Sequence, residues 1–142
     1  MRRFVVLSIC LLALVPVFSA AQAAGNKGSI SKSWVSRSSG GAREKSFSVK
    51  GVKKLYANFI WKVPASPGQE LAIEWHDPSG VLSARWPSKT IKSDKAGTRL
   101  FSWVGAGVLK DKTTGKPRTG TWRAVLLVGG KTVSTSKFSV VK

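Results

Sequence analysis

A chain of 142 residues with 24 Lys and Arg against 6 Asp and Glu carries a formal charge of +18. One histidine, one cysteine and six acids leave little material for a hydrolytic triad or a metal centre, and a lone cysteine excludes an internal disulfide framework. What remains is a basic domain that must fold on burial and hydrogen bonds.

Met1-Arg2-Arg3 is a short basic start. Phe4 to Phe18 is apolar apart from Ser8 and Pro16, and Ala21-Gln22-Ala23 fits a small-x-small cleavage site. The apolar run, about 15 residues, falls short of the roughly 20 needed to span a bilayer as a helix. The expectation is a cleavable export signal over residues 1–23 and a single domain over residues 24–142. Cys10 lies inside the signal behind Ile9, a poor context for lipidation. Arg2 and Arg3 leave with the signal and no acid does, so 22 bases face the same 6 acids and the mature charge is +16. An exported, disulfide-free domain of this size fits a bacterial envelope protein, periplasmic or released.

The mature chain begins with a lead-in to about Ser29, and Ile30, Trp34 and Val35 suggest a first strand before the Ser38-Ser39-Gly40-Gly41 turn. Phe47-Ser48-Val49 alternates briefly. Leu55 to Val63 is a well-specified half-buried strand, with Leu55, Ala57, Phe59, Trp61 and Val63 on one face and Tyr56, Asn58, Ile60 and Lys62 on the other. Pro64 and Pro67-Gly68 stop it. Leu71, Ile73 and Trp75 then point inward from a strand whose outer residues are Ala72, Glu74 and His76. Asp77-Pro78-Ser79-Gly80 places Asp, Pro and Gly as a type I turn wants them. Val81 to Trp86 returns as a hairpin partner ending at Pro87, and the basic run Ser88–Lys95 reads as a loop or an edge strand. Thr98 to Val104 is a further strand, with Leu100, Ser102 and Val104 opposite Phe101 and Trp103. Gly105 to Gly120 reads as a long connecting loop. A hairpin closes the chain: Trp122, Ala124, Leu126 and Val128 share a face, Gly129-Gly130 makes the turn, and Phe138 and Val140 share a face of the return strand.

Seven or eight short strands with turn chemistry at each break predict an all-β fold, an antiparallel immunoglobulin-like β-sandwich, with a small closed barrel as the alternative. Gly120-x-Trp122, Gly129-Gly130-Lys131 and Phe138-x-Val140 resemble the last hairpin of small immunoglobulin-like domains in exported bacterial proteins. Trp61 with Pro64, and Trp75 through Gly80, fit the same type. The resemblance covers the chain from about Leu55 onward and implies a fold without implying an activity.

Three stretches concentrate the bases: Arg43–Lys62, Arg85–Arg99 and Lys110–Arg118. Sixteen of the 22 mature bases are lysine, which favours diffuse attraction to a polyanion over bidentate reading of one group. Arg85, Lys89, Lys92, Lys95, Arg99, Lys110, Lys112, Lys116 and Arg118 are the candidate anion-binding residues. Trp61, Trp75 and Trp122 belong to the predicted core, whereas Trp86 and Trp103 are candidate aromatic contacts beside those bases.

Glu74, His76 and Asp77 form the sole titratable cluster, too few for a zinc site and lacking a nucleophile motif. The expectation is a protein without catalytic residues, metal or cofactor. Its partner would be an anionic envelope polymer or lipid surface (glycan, lipopolysaccharide or anionic phospholipid), with a protein-interaction or inhibitor-type module as the alternative and an enzyme centred on Glu74, His76 and Asp77 as the third reading. Export argues against native nucleic-acid binding.

Overall fold

A computed structural model describes residues 25–142; the predicted export signal lies outside them. Among the described residues eight strands form two packed sheets, as the alternation of apolar and polar residues requires. They are β1 (Ser29–Ser36), β2 (Ser46–Ser48), β3 (Lys54–Val63), β4 (Glu70–His76), β5 (Leu82–Thr90), β6 (Arg99–Gly105), β7 (Gly120–Val128) and β8 (Lys131–Val141). One sheet has the order β1-β3-β6 and the other β2-β8-β7-β4-β5. Pairing of the first strand with the third and the third with the sixth, opposite a sheet built on the fourth, seventh and eighth, is the immunoglobulin-like arrangement. All pairings are antiparallel except β2 with β8, which run parallel. The chain after β1 crosses to the second sheet and lays β2 against its far edge.

The core lies where the alternation places it. Leu55, Ala57, Phe59 and Trp61 of β3 face Leu71, Ile73 and Trp75 of β4 and Trp122, Ala124, Leu126 and Val128 of β7, all buried. Phe138 of β8 is the hub: its ring meets Phe47 at 5.7 Å, Trp75 at 5.8 Å and Trp122 at 6.3 Å between centroids. Trp75 Nε1 crosses from one sheet to the other and donates to Ser102 Oγ of β6 at 2.9 Å, satisfying a buried indole inside the core. The closing turn has φ +56° at Gly129 and +75° at Gly130, the left-handed pair that matches hairpin twist.

Several expectations need correction. Val63 is 44% exposed, because it is the last residue of β3 and pairs with the first residue of β1 beyond the core. The strand after the Asp77 turn does not end at Pro87 but continues to Thr90. It tolerates proline because β5 is an edge with no partner on one side. Gly105–Gly120 is not a featureless loop. A 3₁₀ turn over Ala106–Leu109 buries Leu109, and a bridge joins Lys110 to Pro117. Asp111 Oδ1 accepts from the backbone N–H groups of Thr113 and Thr114 at 2.9 and 2.8 Å, which closes the tip.

Candidate basic and aromatic face

The two sheets divide the charge unequally. β1, β3 and β6 contain Lys32, Lys54, Lys62 and Arg99 and no acid, whereas β4 of the other sheet holds Glu70 and Glu74. Register then decides what stands beside what. On the outer face of the three-stranded sheet, Ser36, Tyr56 and Trp103 form one row across the strands, Trp34, Asn58 and Phe101 the next, and Lys32, Ile60 and Arg99 a third. Four aromatic residues and the strand bases therefore share one surface. Trp103 is 44% and Phe101 40% exposed, open enough to receive a ligand ring.

The cations on this face are oriented without being neutralised. Lys54 Nζ sits 3.9 Å from the Trp103 ring centre, and the Arg99 guanidinium 4.8 Å from that of Phe101. Arg99 Nη1 donates to Asn58 Oδ1 at 2.8 Å and Nη2 to Ser39 Oγ at 3.0 Å, both neutral acceptors. Asn58 is buried although it faces outward, because the Arg37–Gly41 loop folds over it. Gly40 N–H donates to its Oδ1 at 3.3 Å, its Nδ2 donates to Ser36 Oγ at 3.0 Å, and Trp34 Nε1 donates to Gly41 O at 2.7 Å. The loop thus locks the rotamer of Arg99, whose charge enters no ion pair among the described residues.

Three other arginines are paired with acids. Arg37 Nε contacts Glu44 at 3.0 Å, Arg85 Nε lies 3.8 Å from Glu74, and Arg118 Nη1 donates to buried Asp77 at 2.8 Å. Arg118 also donates through Nη2 to Val108 O at 2.6 Å and stacks 4.8 Å from the Trp122 ring. Its side chain belongs to the fold.

Eight of the nine candidate bases fall into two groups. Lys89, Lys92 and Arg99 line a cavity of about 310 Å³ at the open side of the sandwich, with Leu71, Ile91 and Leu100 as its apolar wall. Lys95 lies in the same connection between β5 and β6. Lys110, Lys112 and Arg118 border a shallow depression of about 310 Å³ with Val81 and Leu82, and exposed Lys116 stands in the adjoining tip. Arg85 is set apart by Glu74. Trp86, 37% exposed, pairs with Ile73 and lies on the edge strand, whereas Trp103 lies on the basic face.

Lys54, Tyr56, Asn58 and Phe101 complete this surface and were absent from the candidate set. The alternation had already put Tyr56 and Asn58 opposite the core and grouped Phe101 with Trp103. The missing piece was the pairing that sets Tyr56 beside Trp103.

Glu74, His76 and Asp77 do not converge on one point. His76 Nε2 meets Glu74 Oε2 at 2.9 Å. Asp77 Oδ1 instead accepts from Ser79 Oγ at 2.6 Å, Ser79 N–H at 3.0 Å and Val81 N–H at 2.9 Å, and its Oδ2 from Arg118. The Ser79 hydroxyl above all, then the Val81 and Ser79 amides and the Arg118 charge, hold the Asp77 carboxyl below its ordinary range against the opposing effect of burial.

No protein-family model matches the sequence, and no curated protein does. Solved structures do resemble the fold. A Pseudomonas fluorescens alkylpurine DNA glycosylase bound to DNA containing an abasic site analog aligns at TM-score 0.50 and 14% identity, over 82% of this chain and 31% of that one. This chain therefore spans about a third of the glycosylase's length. An immunoglobulin-like protein from Pseudomonas aeruginosa aligns at TM-score 0.49 and 16% identity, over 85% of this chain and 99% of that one. The likeness to the glycosylase is one of fold, and no activity follows from it.

Proposed function

We propose that this protein is a non-catalytic binding module of the bacterial envelope, exported by residues 1–23, that holds an acidic glycan against the outer face of the β1-β3-β6 sheet. One observation carries the reading: Lys54 over Trp103 and Arg99 over Phe101 are neighbouring cation–aromatic pairs on a face whose strands contain no acid. Exposed rings stack on sugar faces, and cations held by neutral partners attract carboxylates or sulfates. Arginines paired with Glu44, Glu74 or Asp77 lack that capacity.

Heparin is a suitable probe, with neutral dextran as control. Heparin affinity is expected to fall steeply between low and moderate salt. Trp103→Ala, or Lys54→Ala, should weaken it about tenfold, near 1.4 kcal/mol. Lys131→Ala with Lys137→Ala removes more charge from the other sheet and should matter less. Equal losses at both places would reduce the interaction to net charge and reject the site.

A second reading rests on the free edge of β5, where Val81 and Leu82 are 58% and 48% exposed. A protein partner could add a strand there. Arg85, Pro87 and Lys89 on the same edge are the residues that discourage such pairing. Failure to recover a partner at physiological salt would dismiss it.

A further inference from the structure

The cavity between β5 and β6 touches the basic face through one residue. Arg99 lines the cavity and also stacks on Phe101. Its other cations, Lys89 and Lys92, are exposed, and neither enters an ion pair among the described residues. Leu71, Ile91 and Leu100 supply an apolar wall, while Thr90, Thr98 and Asp94 bring hydroxyl and carboxylate oxygens. Asp94 Oδ2 is already occupied by Trp61 Nε1 at 2.8 Å, which fixes the carboxylate in place. The volume, about 310 Å³, is at the small end of ligand pockets.

Taking the acidic-glycan reading as given, we infer that this cavity is the terminal subsite of the same face and accepts one sugar acid, a ring bearing a carboxylate and several hydroxyls. Three cations against one acid leave the cavity net positive, which selects an anion. An ordinary inorganic anion would make no use of the apolar wall or of the Asp94 acceptor. A neutral sugar would leave the lysines unanswered. A sugar acid uses all three: carboxylate to Lys89 and Lys92, hydroxyl donation to Asp94, and the ring's C–H face to Leu71, Ile91 and Leu100. A chain whose last unit lies there would run past Arg99 onto Phe101 and Trp103.

The test follows backbone amide NMR shifts as galacturonate is titrated into the mature protein, with galactose and inorganic phosphate as controls. Galacturonate should move the Ile91, Thr98 and Leu100 amides, whereas the controls should move them little. Lys89→Ala with Lys92→Ala, both on exposed side chains, should abolish those shifts and weaken heparin about tenfold. Trp103→Ala should leave the galacturonate shifts intact while weakening heparin.

If galacturonate moves no cavity amide at millimolar concentration, or the double variant responds like the parent, the subsite is rejected. The wider reading then still stands on the heparin loss of Trp103→Ala and falls only if that loss is also missing. Phosphate acting as strongly as galacturonate, or a single-stranded oligonucleotide moving the same amides at lower concentration, would overturn the assignment to sugar acids.

Discussion

Arg118 Nη1 donates to Asp77 Oδ2 at 2.8 Å across 41 positions of sequence, and the same guanidinium lies against Trp122. It therefore ties the β4–β5 turn to the β6–β7 connection over the ring of Trp122. Removing the arginine would leave a buried carboxylate without its cation. Arg118→Ala is expected to lower unfolding free energy by about 2–3 kcal/mol, less than for a fully buried pair because the guanidinium is partly open to water. Urea unfolding reads this directly. Arg118→Lys should rescue only part of it, since one ammonium cannot serve Asp77, Val108 O and the ring face together.

Acid should destabilise the protein through two carboxylates. Asp77 is lowered for the reasons given above. Asp111 is lowered chiefly by the amide N–H groups of Thr114 and Thr113, with the Thr114 hydroxyl and Arg118 adding to them. A carboxyl whose folded pKa lies below its unfolded value leaves the unfolded chain holding more protons between the two, so stability rises with pH there. The contribution is complete above the ordinary aspartate value of 3.8 and is lost as pH falls through the folded values. Thermal midpoints should be flat from neutrality to about pH 5 and drop below about pH 4. Asp77→Asn should be less stable at neutral pH and show a shallower acid slope.

How much of this was readable beforehand depends on whether the partner is near in sequence. The closing hairpin was legible because its two strands are joined by Gly129-Gly130 and each carries its own period of two. Trp61, Trp75 and Trp122 were legible as core for the same reason. The parallel docking of β2 on β8, the Arg118–Asp77 pair and the row Ser36-Tyr56-Trp103 were not, since each joins segments whose sequences carry no mark of one another. Asn58 shows the limit most clearly. Its place in the alternation predicted an outward side chain, correctly, yet it is buried because a serine-glycine loop folds over it.

The same residue offers a test of how the basic face is held. Asn58→Ala would remove the acceptor for Arg99 and Gly40 and the donor to Ser36. With the Gly40 amide and Arg99 both released from buried Asn58, a loss of about 1–3 kcal/mol is expected. Amide exchange should accelerate in Arg37–Gly41 more than in β7 and β8. Uniform acceleration across both sheets would mean that Asn58 supports the whole fold and not this loop.

The Trp75–Ser102 hydrogen bond spans the two sheets and is fully enclosed, so its loss is a sharper probe of sandwich closure than a surface change. Ser102→Ala removes one oxygen and strands the indole N–H, an expected cost of about 1–3 kcal/mol. Trp75→Phe removes the donor instead and leaves Ser102 Oγ needing a new donor, while also shrinking the contact with Phe138. Combining the two changes should cost less than the sum of the singles, because the second removes the group that the first left unpaired. Urea unfolding of the four proteins gives the coupling. Strict additivity would show that the bond contributes nothing beyond its two side chains' separate packing.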